Sequence, residues 1–312
     1  MQVAAVWGAN GYIGKHLVSA LINSGYTVKV LVRDIASLSE DLLNQVEKHE
    51  IDFTSSISEI SNVLRGVQIL YCCAGSTKHE KYAEDYVSAS EKVMLSAVNC
   101  SIRRVVMLST VAVYGKAEED IINTNFAINP QTPYAKARVA SENAMMAVAK
   151  VNSIQLCVVR IPMVIGIGMT SKALKSLLNS LAFGCLFFPG SKNATLNCIG
   201  INRIVMILVT LANIKLTENV IVMQFSDNVK WVDIIKLYAN SAKKKITVVH
   251  ISKVVLKFIS LITFNNSNLN NIIQILGNKT RYQDDSTKFL TIQQSNDQTI
   301  KDINEYINLY IK

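Results

Sequence analysis

The chain reads as an α/β protein: a doubly wound, mostly parallel sheet with a smaller C-terminal region. Three observations predict this. Short apolar runs such as Val3–Trp7 and Thr27–Val32 alternate with amphipathic segments at helical spacing. The first strand-to-helix junction carries Gly8, Gly11 and Gly14 in a G-x-x-G-x-x-G pattern. Later runs, Gln68–Cys73 and Arg104–Leu108, repeat the alternation and each ends in turn-forming or hydroxyl-bearing residues. The fold type is Rossmann-like, and ligands of such sheets sit outside the carboxyl ends of the strands.

The first junction sets the expected chemistry. A helix over Ile13–Ser24 is stopped by Gly25 and followed by the second strand. The unpaired N–H groups at a helix start, with the positive end of the helix dipole, make an anion site. Gly8 permits a tight turn, Gly11 close approach to a pyrophosphate, and Gly14 close packing of helix on strand. The expected dinucleotide contacts in this turn are Gly8, Asn10, Gly11, Tyr12, Ile13 and Gly14. Arg33 and Asp34 follow the second strand, beside the expected adenosine ribose. An arginine there can pair with a 2′-phosphate, so NADP is favoured; Asp34 could instead accept from a 2′-hydroxyl, which keeps NAD open.

Glu40–Lys48 reads as a helix, and 50–53 as the end of a third strand, with Asp52 and Phe53 near the adenine. Ser56–Leu64 is helical and ends at Gly66. Gln68–Cys73 is the fourth strand, and Ala74, Gly75 and Ser76 form a turn where a ligand would lie. Glu84–Asn99 is a helix and Arg104–Leu108 the fifth strand. Thr132 and Pro133 open a helix reaching about Lys150, with proline favourably placed in its first turn. Tyr134 and Arg138, four apart, share one of its faces, whereas Lys136 points elsewhere. Beyond this, helices are expected over Ser171–Phe183, Asn202–Asn213, Val229–Ala242, Ser252–Phe264 and Thr299–Ile311. Strands are expected over Asn219–Phe225 and Ile246–Ile251, and Asn265–Asn271 reads as a loop or helix start.

The 312 residues suffice for one large domain or two modest ones. The division read here is a dinucleotide-binding part over 1–165, to which 199–226 returns, and a smaller substrate-binding region over 166–312. With 50% hydrophobic and 18% charged residues the chain is globular rather than disordered. The net charge of +9 is diffuse, and its longest cluster, Lys243–Lys245, has no interleaved aromatics, so no nucleic-acid partner is indicated. An anionic small substrate fits the sign equally well. The six cysteines form no C-x-x-C pair and read as reduced thiols, and the four histidines show no metal spacing. No apolar run is long enough to span a membrane, and a cytoplasmic protein is expected.

Several stretches together resemble one family. They are GANGYIG at Gly8–Gly14, the AGS turn, STVAVYG at Ser109–Gly115, PYAKARVASE at Pro133–Glu142, and Arg160-Ile161-Pro162 with Gly166. The chain resembles the extended short-chain dehydrogenase/reductases, in the nucleotide-sugar epimerase/dehydratase group. Phe188–Asn193 and Ile199–Asn202 are similar to that family's loop and helix start in the substrate region. The resemblance implies that Tyr134 is the acid/base, that Thr110 hydrogen-bonds the same substrate oxygen, and that Ala74, Gly75 and Pro162 lie against the cofactor. It also implies that position 138 contacts the nicotinamide ribose. The family has lysine there; this chain has Arg138, which keeps the charge in a larger, forked group. The family's asparagine near the start of the helix after strand four matches Val87. Its pyrophosphate-gripping arginine has no counterpart around Ala194–Cys198, leaving Lys192 or Arg203 as substitutes.

The implied activity is an NAD(P)-dependent reductase or epimerase acting on a nucleotide-linked sugar, with a homodimer possible. Two alternatives stand beside it: a reductase of a non-sugar ketone of flavonol or steroid type, and a non-catalytic dinucleotide-binding protein, suggested by Arg138.

Overall fold

A computed structural model describes residues 2–38, 42, 44–75, 82–116, 119–169, 172–188, 194–250, 280–289 and 297–311. In its first half, β1 (Val3–Trp7), α1 (Tyr12–Asn23), β2 (Thr27–Val32) and β3 (Glu47–Glu50) precede α2 (Ile57–Leu64), β4 (Ile69–Cys72), α3 (Tyr82–Asn99) and β5 (Arg104–Thr110). Then come β6 (Ile121–Ile122), α4 (Pro133–Asn152), β7 (Gln155–Ile161) and β8 (Met163–Ile165). The second half holds α5 (Lys172–Ala182), β9 (Cys185–Phe188), β10 (Thr195–Gly200), α6 (Ile201–Leu211), β11 (Val220–Gln224) and β12 (Asp227–Lys230). It closes with α7 (Trp231–Ala242), β13 (Thr247–His250), β14 (Arg281–Tyr282), α8 (Ser286–Phe289) and α9 (Asp297–Ile311).

Among the described residues seven strands form the main sheet in the order β11-β7-β5-β4-β1-β2-β3, and every pair in it is parallel. The order reverses between β1 and β4, so the crevice for a ligand opens at their carboxyl ends. Alternation along β1 explains the two apolar layers. Ala4 and Val6 face Leu17 and Leu21 of α1 and Ile204 and Leu208 of α6. Ala5 and Trp7 face the other way, toward Ile60 of α2, Val93 of α3 and Met145 of α4.

Local chemistry fixes the helix starts. Ser56 and Glu59 form a reciprocal capping box at α2. Thr132 accepts from the Ala135 N–H at 3.1 Å, with Pro133 in the first turn of α4. A smaller sheet, β12-β10-β8, lies beyond the main one, with β10 parallel to β8 and antiparallel to β12. A buried bond ties α9 to it, Thr299 Oγ1 accepting the Gly200 N–H at 2.7 Å, and Asp302 ties α9 to the start of α6, accepting from the Asn202 N–H at 3.0 Å. Among the described residues no helix is long and apolar enough to cross a membrane.

Three expectations need correction or bounding. The end of the predicted helix over Glu40–Lys48 is instead strand: Glu47–Glu50 pairs with Lys29–Val32. Its sequence EKHE favours no buried face, but an edge strand tolerates charge, and Lys29 pairs with Glu47 at 3.4 Å. Arg203 is not offered to a ligand; it is buried and paired with Asp227 at 2.9 Å and Asp284 at 2.8 Å. The readings of Ser76, His79, Lys192, the loop 189–193, the helix Ser252–Phe264 and the stretch Asn265–Asn271 lie outside the described residues.

Candidate active site

The glycine turn fits a dinucleotide pyrophosphate. Gly8 has φ +84°, and a Cβ on it would lie 2.5 Å from the Ala74 nitrogen. A Cβ on Gly14 would lie 2.2 Å from the Gly8 carbonyl oxygen. The turn is closed by the Gly11 N–H donating to Gly8 O at 3.0 Å. Helix α1 follows with Gly11 as its N-cap, no side-chain cap and no acidic residue in its first turn. Its first amides therefore face the carboxyl end of β1 without an internal anion to compete for them. Gly14→Ala is expected to cost about 1–3 kcal/mol, because its methyl meets backbone rather than a movable side chain. Urea unfolding measures this, and an unchanged midpoint would contradict the close packing.

Arg33 and Asp34 are exposed at the end of β2. The Asp34 carboxylate accepts from the Ala36 N–H at 2.9 Å and caps the short 3-10 turn Ile35–Ser37. Asn10 reaches the same turn, donating to Ser37 Oγ at 2.8 Å. Asp52 folds back on its own loop, accepting from the Thr54 N–H and hydroxyl, each at 2.7 Å, and from the Ser55 N–H at 3.0 Å. The Thr54 hydroxyl, above all, holds its carboxyl below the usual carboxylate range. Phe53 packs edge-on against Trp7 with centroids 5.7 Å apart.

The chemistry-bearing side chains stand where β4, β5 and α4 meet. Ser109 and Thr110 divide their roles by alternation along β5. Ser109 is buried and donates to Glu142; Thr110 is half-buried and accepts from the Ala112 N–H at 3.2 Å, starting a 3-10 turn over Val111–Tyr114. Tyr134 is half-buried in the first turn of α4. One turn on, the Arg138 guanidinium carbon lies 5.4 Å from the Tyr134 ring centroid. Lys136, between them, is exposed.

Arg138 is itself buried, at 8% exposure, and heavily bonded. Its Nη1 donates to the carbonyls of Leu108 at 3.2 Å and Ala74 at 3.4 Å, and to the Tyr86 hydroxyl. Gly75 makes room for it: a Cβ there would lie 1.9 Å from Nη2. Tyr86 is the residue that the sequence reading missed. Val87, one place on, is half-buried, whereas Tyr86 is buried and reaches the site. The spacing of Tyr86 from Ala89 and Ser90, both buried, sets it on the inner face of α3, where a tyrosine reads as core rather than as a site residue. Pro162 lies half-buried between β7 and β8.

Below this cluster runs a buried ionic network. Glu142 accepts from Arg160 Nη2 at 2.7 Å and Nε at 3.2 Å, and Arg160 Nη1 donates to the Tyr114 hydroxyl at 3.1 Å. With Ser109 donating to Glu142, it ties the middle of α4 to β5 and β7 inside the main sheet. Among the described residues no cluster of side chains is suited to a metal ion.

A family model described as the NAD dependent epimerase/dehydratase family matches residues 4–184. Cinnamoyl-CoA reductase 2 of Medicago truncatula is 24% identical over 184 residues, covering 53% of this chain and 54% of that protein. UDP-glucose 4-epimerase of Vibrio cholerae is 24% identical over 218 residues, covering 65% of this chain and 64% of that protein. The chain spans about half the length of the curated relatives it matches first. Among solved structures, UDP-glucuronic acid 4-epimerase from Bacillus cereus in complex with NAD superposes with a TM-score of 0.73. It is 17% identical, with 100% of this chain and 96% of that chain covered. UDP-N-acetylglucosamine 4-epimerase from Methanobrevibacter ruminantium M1 gives 0.75 at 15% identity, covering 99% and 98%. At such identities the structural likeness speaks for the fold.

Proposed function

The chain belongs to the NAD dependent epimerase/dehydratase family, and on that premise we propose that it is an NADP-preferring reductase or epimerase of a nucleotide-linked sugar. The observation that carries this reading is one juxtaposition. The Tyr134 ring packs beside a buried guanidinium bonded to the Leu108 and Ala74 carbonyls, and the Ala74 backbone also lies against Gly8 of the glycine turn. Residues 1–165 with 199–226 would hold the dinucleotide, and the remainder of 166–312 the sugar. The substrate class follows the structural relatives, whose names specify UDP-sugars.

A bound nicotinamide supplies or accepts a hydride at its C4 atom. The chain's own part is proton transfer and orientation. The Tyr134 phenol gives a proton to the carbonyl oxygen during reduction, or takes one from the hydroxyl during oxidation. The Thr110 hydroxyl holds the same oxygen. Arg138 provides a cation that favours the phenolate form of the tyrosine when the proton leaves.

Cofactor choice rests on Arg33. Asp34 is taken up by its own turn, which leaves Arg33 as the side chain at the end of β2 able to meet a 2′-phosphate. Titration with NADPH and with NADH, read by tryptophan fluorescence, tests this, because Trp7 directly precedes Gly8. NADPH is expected to bind more tightly, and Arg33→Ala to remove about tenfold of that affinity, the worth of one charge-assisted hydrogen bond. Preference for NADH would favour the epimerase. Binding of neither by folded protein would overturn the proposal.

The similarity to cinnamoyl-CoA reductase 2 favours a second reading, a reductase of a non-sugar carbonyl with the same Tyr134 chemistry. NADPH oxidation with 4-keto-sugar nucleotides, against ketones and acyl-CoA thioesters, separates the two.

A further inference from the structure

The fold brings one residue to the site that the family motifs do not mark. Tyr86 is buried on α3, stacked on Trp7 with centroids 6.2 Å apart and planes 13° apart, and edge-on to Phe53 at 5.7 Å. These two neighbouring rings fix where its hydroxyl points. That hydroxyl accepts a hydrogen bond from Arg138 Nη1, and the guanidinium carbon lies 4.8 Å from the Tyr86 ring centroid.

We propose that Tyr86 is a positioning residue: it moors the Arg138 guanidinium so that its charge stays beside the Tyr134 phenol. This rests on the reading of Tyr134 as the acid/base.

An arginine is longer than a lysine and carries a forked, planar head, so it has more ways to miss a target. Here the carbonyls of Ala74, just past β4, and of Leu108, in β5, and the Tyr86 hydroxyl all accept from one nitrogen, Nη1. This pins one arm of the fork, and Gly75 admits the other, Nη2, which a Cβ would displace. The tyrosine hydroxyl is also more than filler. Phenylalanine would fill the same aromatic stack without burying a polar group, and such a group is costly inside a protein unless bonded. Burial pushes the Tyr86 phenol up, and so keeps it a neutral acceptor for the cation.

Tyr86→Phe preserves the aromatic stack and removes only the mooring. With NADPH and a UDP-linked 4-keto-hexose as the probe, kcat is expected to fall about tenfold, the worth of a hydrogen bond to a charged group. KM for the sugar nucleotide is expected to stay unchanged. In an Arg138→Lys background the same change should do nothing further, because the two residues act as a unit. A second readout needs no substrate. The Arg138 guanidinium N–H signals in heteronuclear NMR, assigned by their loss in Arg138→Lys, should be sharp in the parent protein and averaged in Tyr86→Phe. Unchanged signals in Tyr86→Phe, or losses in kcat that add fully, would overturn the proposal. If the parent protein binds no reduced dinucleotide or does not turn over the probe, the functional reading fails. The NMR comparison then still decides the mooring.

Discussion

Tyr134→Phe is expected to lower turnover by about 10²–10⁴-fold, the usual contribution of a positioned general acid or base. The substitution removes one oxygen and leaves the ring against which Arg138 packs. Dinucleotide affinity and the unfolding midpoint should therefore change little. The loss should appear in kcat, because the proton moves only in the transition state. Tyr114→Phe is the matched control. Its hydroxyl is buried and accepts from Arg160 at 3.1 Å, and its ring stacks on Tyr282 with centroids 6.1 Å apart. Loss of that hydroxyl should reduce stability by about 1–3 kcal/mol, since a buried donor loses its partner, and leave catalysis largely intact. Equal turnover in Tyr134→Phe and the parent protein would remove Tyr134 from the mechanism.

The second large effect is on stability. Glu142→Ala is expected to cost about 3–5 kcal/mol, because it strands the Arg160 cation in the interior. Glu142 and Arg160 are 0% and 2% exposed, so water cannot replace the lost partner. Ser109 also loses the acceptor for its hydroxyl. Replacing both members, as in Glu142→Leu with Arg160→Leu, should cost less than Glu142→Ala alone, since no charge is then left unpaired. Urea denaturation followed by circular dichroism measures both. A loss below about 1 kcal/mol in Glu142→Ala would place the pair among the weak surface-like bridges.

Much of the site was legible because its signals are local. The glycine spacing of the first turn, proline in the first turn of α4 and the four-residue step from Tyr134 to Arg138 each follow from the geometry of one element. The structure adds reasons to each: Gly8 and Gly14 have backbone where a Cβ would sit, and Tyr134 and Arg138 lie on one face while Lys136 is exposed. Tyr86 was not legible. A tyrosine on the inner face of a helix reads as core, and its partner lies 52 residues away. The same distance effect hid Glu47–Glu50. Its helix-compatible residues become a strand only because β2 offers an unpaired edge.

The sequence by itself determined the alternation of strands and helices, the glycine cradle with its uncapped helix, and the tyrosine-arginine step on α4. These depend on periods of two and 3.6 residues and on the conformations open to glycine and proline, all short-range properties. Only the tertiary structure decided the rest. It directed Ser109 to Glu142 while Thr110 stayed half-buried, it sank Arg203 between Asp227 and Asp284, and it set Tyr86 against Arg138. Each of these is a choice of partner for a polar group leaving water. Sequence spacing cannot name that partner, because burying the group makes whichever acceptor the packing brings within reach indispensable.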